Sequence, residues 1–286
     1  MARDSRLEAT ETQRHRGQFD GSSLWLCGSV TRLGPLLSAV FVASVLTVAC
    51  GGGSQESAAP PPPAPTENPV DPATAGNVTG RVAFAGTPPK PALLRMDSDP
   101  NCAGEGGSAT EESVVVGDGG ALRNVFVYVK DGLGSLRFPI PSTPVLLDQK
   151  GCRYIPHVLG AQVGQTVEVL NSDPTLHNVH AVPGSNDEFN TGQPLPGMKH
   201  THRFSVSEVM VPFKCDVHPW MRAYVGVLDH PFFAVTGPDG SFTLSGLPPG
   251  TYTIEAWHET LGRQTQTVTV AAKETADVMF SFAPAS

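Results

Sequence analysis

Apolar and polar residues alternate in short segments along most of the chain from residue 77 onward. In segments such as 122–129, 165–170 and 251–257, valine and other strand-forming residues alternate with polar ones. Clusters of Gly, Pro, Asn or Asp separate these segments. No segment shows the sustained period of an amphipathic helix. The pattern therefore predicts an all-β protein of the sandwich type.

The start of the chain carries a different pattern. Residues 33–49 form a run of 17 uncharged, mostly apolar residues that follows Arg14, Arg16 and Arg32 and ends before Cys50. A basic region followed by a short apolar run is the layout of a secretory signal peptide. The run is shorter than the roughly 20 residues that a membrane-spanning helix needs, so a permanent transmembrane anchor is the weaker alternative.

The residues around Cys50 extend this interpretation. Small residues precede it and three glycines follow it, an arrangement that resembles the lipobox of bacterial lipoproteins. The resemblance implies cleavage after residue 49 and a lipid on Cys50, which would anchor the chain to a membrane of the bacterial periplasm or cell envelope. Residues 50–77 are expected to form a flexible tether, because they are rich in Pro, Ala, Ser and Glu and poor in large apolar side chains.

Charge restricts the partners that the mature chain could bind. Without residues 1–49 it keeps 14 basic and 23 acidic residues, a formal charge of −9. An acidic surface argues against nucleic acid as a partner. It suits a basic protein partner, although ordinary solubility explains the same balance.

Three cysteines remain in the part of the chain that is expected to fold, namely Cys102, Cys152 and Cys215. In an oxidising envelope compartment two of them can pair, and the third must serve another purpose. We assign a disulfide to Cys102 and Cys152 and a metal-binding role to Cys215.

The segment around this last cysteine concentrates metal-ligand chemistry. Cys215, His218 and Met221 follow one another at intervals of three residues in one loop between two predicted strands. A thiolate, two imidazoles and a weak axial thioether form the ligand set of electron-transfer copper. The second imidazole must come from elsewhere, and His177 in the segment Leu-His-Asn-Val-His supplies it.

These two segments together resemble the cupredoxin, or blue-copper, family, and within it the amicyanins and plastocyanins. His-Asn-Val upstream is paired with Cys-x-x-His-x-x-Met downstream, at the short spacing of amicyanin, and the likeness covers residues 145–229. The resemblance implies a Greek-key β-sandwich that binds one copper ion. His177, Cys215 and His218 would be the strong ligands and Met221 the weak axial ligand.

The resemblance also implies supporting roles for neighbouring residues. Asn178 is expected to donate its backbone N–H to the Cys215 sulfur and to brace the ligand loop with its side chain. Asp216 stands where amicyanin has Thr; its carboxylate can accept the bracing hydrogen bond, and its charge should favour Cu(II). Pro219 and Trp220 are expected to surround a loop histidine near the surface, through which electrons are exchanged, with core packing as the alternative.

The C-terminal region resembles a second family. Asp-Gly-Ser-Phe at 239–242 and Leu-Pro-Pro-Gly-Thr-Tyr at 247–252 resemble the carboxypeptidase regulatory-like, or transthyretin-like, β-sandwich, whose members are usually structural. Residues 76–86 resemble the first strand of the same family. The small sandwich is therefore either split by the copper-type domain or consecutive to it, and the sequence leaves both arrangements open.

The sequence thus predicts an all-β chain with a Greek-key cupredoxin sandwich, a small transthyretin-like sandwich and a disordered N-terminal tether. The expected parts are a signal peptide (1–49), the lipidated Cys50 with its Pro-rich linker (50–77), a β segment (78–143), the copper domain (144–230) and the regulatory-like sandwich (231–286).

We expect a type 1 copper protein, and not an enzyme, that transfers single electrons between envelope redox proteins such as a cytochrome or a dehydrogenase. A thiolate with an axial thioether leaves no open metal position for hydrolysis. Two alternatives remain. One is a copper carrier or sensor without redox turnover, and the other is a structural or carbohydrate-binding surface lipoprotein.

Overall fold

The computed structural model describes residues 67–105 and 109–284. The predicted signal peptide, the lipidation at Cys50 and most of the predicted tether lie outside the described residues. The last part of that tether is folded, because Val70 is 9% exposed and packs into a core, and the first strand begins at Gly76. The folded region therefore starts ahead of the predicted boundary at residue 78. In the described part of the chain, no helix has the length and hydropathy of a membrane span.

Strands make up nearly all the regular structure of the described residues, so the all-β prediction is confirmed. In chain order the elements are β1 (Gly76–Phe84), α1 (Pro100–Glu105), a 3-10 turn (Asp118–Gly120), β2 (Phe126–Asp131), β3 (Val145–Gln149), β4 (Tyr154–Ile155), β5 (Val158–Gln162), β6 (Val167–Asn171), β7 (His177–Ala181), β8 (Phe189–Gln193), β9 (Lys199–His202), β10 (Glu208–Lys214), β11 (Arg222–Leu228), β12 (Phe233–Val235), β13 (Ser241–Leu247), β14 (Gly250–His258), β15 (Gly262–Val270) and β16 (Thr275–Phe282).

The smaller sandwich combines strands from both ends of the described chain. Its three-stranded sheet has the order β13-β1-β16, with β1 antiparallel to β13 and parallel to β16. Its four-stranded sheet has the order β12-β2-β14-β15. Alternate residues of β1, such as Val78, Val82 and Phe84, point into a core that they share with Leu244 and Phe280. The segment from β3 to β11 is inserted between β2 and β12, which pair with each other.

The inserted segment forms the larger sandwich. A five-stranded sheet of order β5-β11-β10-β7-β8 faces a four-stranded sheet of order β4-β3-β6-β9. Inward residues of the two sheets, such as Leu147, Val169, Val179, Phe213 and Val225, form one core. Cys215 and Met221 belong to the same core, so the predicted ligand loop is anchored in the interior of this sandwich.

A third buried cluster joins the two sandwiches. Phe126 of β2 is fully buried and packs with Val158 and Leu228 of the larger sandwich. Gly160 and Gly226 are paired across β5 and β11. A Cβ atom on Gly226 would lie 2.6 Å from Phe126 Cε1, so only glycine leaves room for the ring.

Candidate metal centre

The predicted ligands come from one strand and one hairpin loop. His177 is the first residue of β7, and the loop 215–221 connects β10 to β11. Lys214 and Arg222 are paired at the base of this loop, so its two ends are held together. Pairing of Lys214 with His180 of β7 then brings the loop beside His177.

Three of the four predicted ligands converge in the interior. The Nδ1 atoms of His177 and His218 are 2.9 Å apart, and the Cys215 sulfur lies 3.8 Å from His218 Nδ1. One ligand atom from each residue lies within 4.8 Å of the other two. The three residues are at most 1% exposed, so the polar atoms meet in a pocket from which bulk water is excluded.

The donor set fits a soft or borderline cation. Each imidazole has its Nε2 atom beside a carboxylate oxygen, at 2.9 Å in His177 and 3.1 Å in His218. If both Nε2 atoms carry a proton, both Nδ1 atoms present lone pairs to each other. Such an arrangement requires a cation or a proton between them. Two imidazoles with a thiolate are the trigonal donor set of mononuclear copper sites.

Asp173 holds the imidazole of His177. Its buried carboxylate lies 2.9 Å from His177 Nε2 and accepts the backbone N–H groups of Gly151 and Cys152, both at 2.8 Å. Burial raises the pKa of Asp173, but these hydrogen bonds outweigh it and the net direction is downward. The carboxylate therefore stays ionised and fixes the ring orientation that aims Nδ1 at the site.

Asn178 connects the strand of His177 to the ligand loop. Its backbone N–H donates to the Cys215 sulfur at 3.5 Å, and its side-chain oxygen accepts the Asp216 backbone N–H at 2.6 Å. Its amide nitrogen donates to the Asp216 carboxylate at 3.1 Å. Hydrogen bonds led by that of His180 hold the pKa of Asp216 well below its usual range. Lys214, 3.3 Å from the same carboxylate, offsets part of its charge.

Electrostatics favour a thiolate in this pocket. Burial raises the pKa of the Cys215 thiol, but hydrogen bonds from His177, His218 and Asn178 outweigh it and lower this pKa to about 6. Burial lowers the pKa of His177, yet hydrogen bonds with Asp173 and Cys215 raise it to about 9. A thiolate and a nearby positive charge thus stabilise each other, and a metal cation bound there would replace the charge of the imidazole proton.

Met221 lies at the end of the loop. It is 1% exposed, its backbone N–H donates to the His218 carbonyl at 2.9 Å, and its carbonyl accepts the Cys215 N–H at 3.3 Å. These bonds make the loop a compact turn around the site. The axial role of its sulfur stays a prediction.

The outer face of the loop is covered at His218, and the role of Pro219 and Trp220 in electron exchange stays a prediction. His218 is 1% exposed, so it is not a surface histidine. Pro219 is exposed. Trp220 is half-buried, and its indole N–H donates to the Cys152 carbonyl at 3.0 Å. Asp99 and the disulfide-bonded Cys102 lie against this side of the loop, at 3.1 Å and 3.7 Å from His218 Nε2. The sequence resemblance contained no counterpart for the segment that carries these two residues.

Sequence reasoning missed the two carboxylates beside the imidazoles. Asp173 precedes His177 by four residues, and this Asp-x-x-x-His spacing was a usable local signal. Asp99 lies 119 residues from His218. No local pattern could have connected those two residues.

Comparisons with known proteins give partial matches. The family model described as carboxypeptidase regulatory-like domain matches residues 219–283, which confirms the resemblance found in the C-terminal region. The match begins within the ligand loop and covers less than a quarter of the chain. No curated protein matches the chain.

Solved copper proteins resemble part of the chain. A copper-containing nitrite reductase from Thermus scotoductus SA-01 is 22% identical over 33% of this chain and 24% of its own, with a TM-score of 0.30. A mutant of amicyanin in its oxidised state is 28% identical over 29% of this chain and 81% of its own, with a TM-score of 0.26. A Cu(I) mutant of amicyanin is 23% identical over 35% and 97%, with a TM-score of 0.27. The chain therefore spans about a quarter of the nitrite reductase and most of amicyanin.

Proposed function

We propose that this chain binds one copper ion between His177, Cys215 and His218, with Met221 as a weak axial ligand, and transfers single electrons. One observation carries the proposal: two imidazole Nδ1 atoms and a cysteine sulfur meet in a buried pocket. Copper bound there would supply a one-electron couple between Cu(II) and Cu(I). The chain would then act as an electron carrier, and not as an enzyme.

The residues of the chain support such a role by holding the donors still. The carboxylate of Asp173 fixes one imidazole, and Asn178 ties the sulfur-bearing loop to β7. A pocket whose donors move little between two charge states is suited to electron transfer, because reorganisation slows the exchange. Because the three donors are buried, neither water nor a substrate molecule has open access to the site.

The same burial argues against a copper carrier. A protein that hands its ion to a partner must let the partner's ligands reach it, whereas all three donors here are at most 1% exposed. The acidic balance of the chain suits a basic redox partner such as a cytochrome or a dehydrogenase. The lipobox-like segment supports a location in the bacterial periplasm or cell envelope, with a lipid anchor at Cys50.

Visible absorption and electron paramagnetic resonance of the Cu(II)-loaded full chain test the proposal. We expect an intense sulfur-to-copper charge-transfer band that Cys215→Ser abolishes. Met279→Leu removes an exposed sulfur atom in the smaller sandwich and serves as the control, which should keep the colour. A folded chain that stays colourless with Cu(II) would refute the copper site. Reversible one-electron voltammetry then separates electron transfer from copper storage.

A further inference from the structure

A segment distant in sequence closes the outer side of His218. Asp99 Oδ2 lies 3.1 Å and the Cys102 sulfur 3.7 Å from His218 Nε2. Met96 and Cys102 are 3% and 0% exposed, so the segment is packed against the larger sandwich. The disulfide from Cys102 to Cys152 ties it there covalently. It leaves His218 only 1% exposed.

Asp99 is itself held by its surroundings. Its Oδ2 atom accepts the Thr175 hydroxyl at 2.7 Å, and its Oδ1 atom accepts the Asn101 backbone N–H at 2.8 Å. Thr175 lies two residues before His177. Asp99 therefore makes one contact with the His177 segment and one with His218, and it links the two ligand-bearing parts of the site.

We propose that Asp99 is a positioning residue of the metal centre. Its carboxylate accepts the Nε2–H of His218 and so selects the tautomer whose Nδ1 lone pair faces Cys215 and His177. The purpose of this role rests on the proposed copper function. The predicted tautomer of His218, however, is a property of the metal-free chain as well.

The first test therefore uses the metal-free full chain. Long-range correlation of imidazole nitrogens and carbon-bound hydrogens by NMR assigns the tautomer of His218. We expect Nε2–H in the wild type and a shift toward Nδ1–H in Asp99→Ala. Asp97→Asn is the matched control, because Asp97 is an exposed carboxylate of the same segment. Thr175→Val removes the hydroxyl that holds Asp99 and should shift the tautomer in the same direction by less.

The second test measures the reduction potential of the copper-loaded chain. A carboxylate beside a ligand imidazole stabilises Cu(II), so Asp99→Asn should shift the Cu(II)/Cu(I) equilibrium toward Cu(I) about tenfold, or ~59 mV upward. Asp97→Asn should change the reduction potential much less, because the Asp97 carboxylate is exposed to solvent and its charge is screened.

The outcomes separate the two proposals. An unchanged His218 tautomer in both Asp99→Ala and Thr175→Val overturns the positioning role, whatever the potential does. A wild-type chain that stays colourless with Cu(II) overturns the copper function and leaves the tautomer result standing. An Asp99→Asn potential equal to that of the wild type overturns the electrostatic part of the role.

Discussion

Adding a single methyl group at the contact between the two sandwiches should lower the stability of the protein by a specific amount. Phe126 enters the larger sandwich at Gly226, where a Cβ atom would lie 2.6 and 2.8 Å from two ring atoms. Ordinary carbon contacts are about 3.5–4.0 Å, so Gly226→Ala forces the ring or the strand to move by about 1 Å. Phe126 is fully buried, so its ring is surrounded by packed neighbours. Overpacking of this kind costs about 1–3 kcal/mol.

Urea denaturation followed by circular dichroism measures this cost. Gly192→Ala is the matched control, because it also lies in a strand of the five-stranded sheet and no atom lies within 4 Å of its Cβ position. Its effect should stay within about 0.5 kcal/mol. Phe126→Leu should partly relieve Gly226→Ala, with a coupling energy of about 1 kcal/mol. Equal stability of Gly226→Ala and Gly192→Ala, or strict additivity with Phe126→Leu, would refute the reasoning.

Three further predictions concern charge. Asp173→Asn should weaken copper binding roughly 10- to 100-fold, because it removes the ionised acceptor of the His177 ring; competition with a chromophoric chelator measures this loss. Asp216→Thr should raise the reduction potential, since a negative charge next to Cys215 favours Cu(II), and voltammetry measures the shift. Burial lowers the pKa of His258 from 6.5 to about 4. At pH 7 it is neutral in both states, but below pH 6.5 the unfolded chain takes up the proton first. The contribution of His258 to stability should therefore decrease as the pH is lowered, by about 2 kcal/mol at pH 5, and His258→Gln should remove that part of the pH dependence in urea titrations.

Each of these predictions can fail on its own. Wild-type copper affinity in Asp173→Asn would show that the His177 ring needs no ionised acceptor. A potential that falls or stays constant in Asp216→Thr would contradict the charge argument. His258 is only 2% exposed, and its Nδ1 atom also accepts the backbone N–H groups of Thr260 and Leu261. Equal pH slopes in the wild type and His258→Gln would show that protonation does not break these bonds.

Local patterns were sufficient for the elements and for the types of ligand. Alternation of apolar and polar residues fixes which side of a strand can be buried, so segments such as β6 and β14 could be predicted without knowing their partners. The spacing of Cys215, His218 and Met221 places them in one loop whatever the rest of the chain does. The identity of their donor atoms already indicated a soft metal.

Partners distant in sequence could not be predicted in the same way. The alternating pattern of β1 does not show that its neighbours in the sheet are β13 and β16. Every strand presents the same backbone N–H and C=O groups along both of its edges, so the pattern does not select a partner. The placement of the larger sandwich between β2 and β12 was likewise one of two open arrangements.

The sequence by itself determined an all-β chain with a thiolate, two imidazoles and a thioether in a fixed order. Only the tertiary structure decided that His218 is covered and that Asp99 approaches it across 119 residues. The disulfide between Cys102 and Cys152 was predicted from the cysteine count, and the structure confirms it. The physical reason for the rest is that periodicity and spacing act over a few residues, whereas the cover depends on packing between segments that the chain brings together only when it folds.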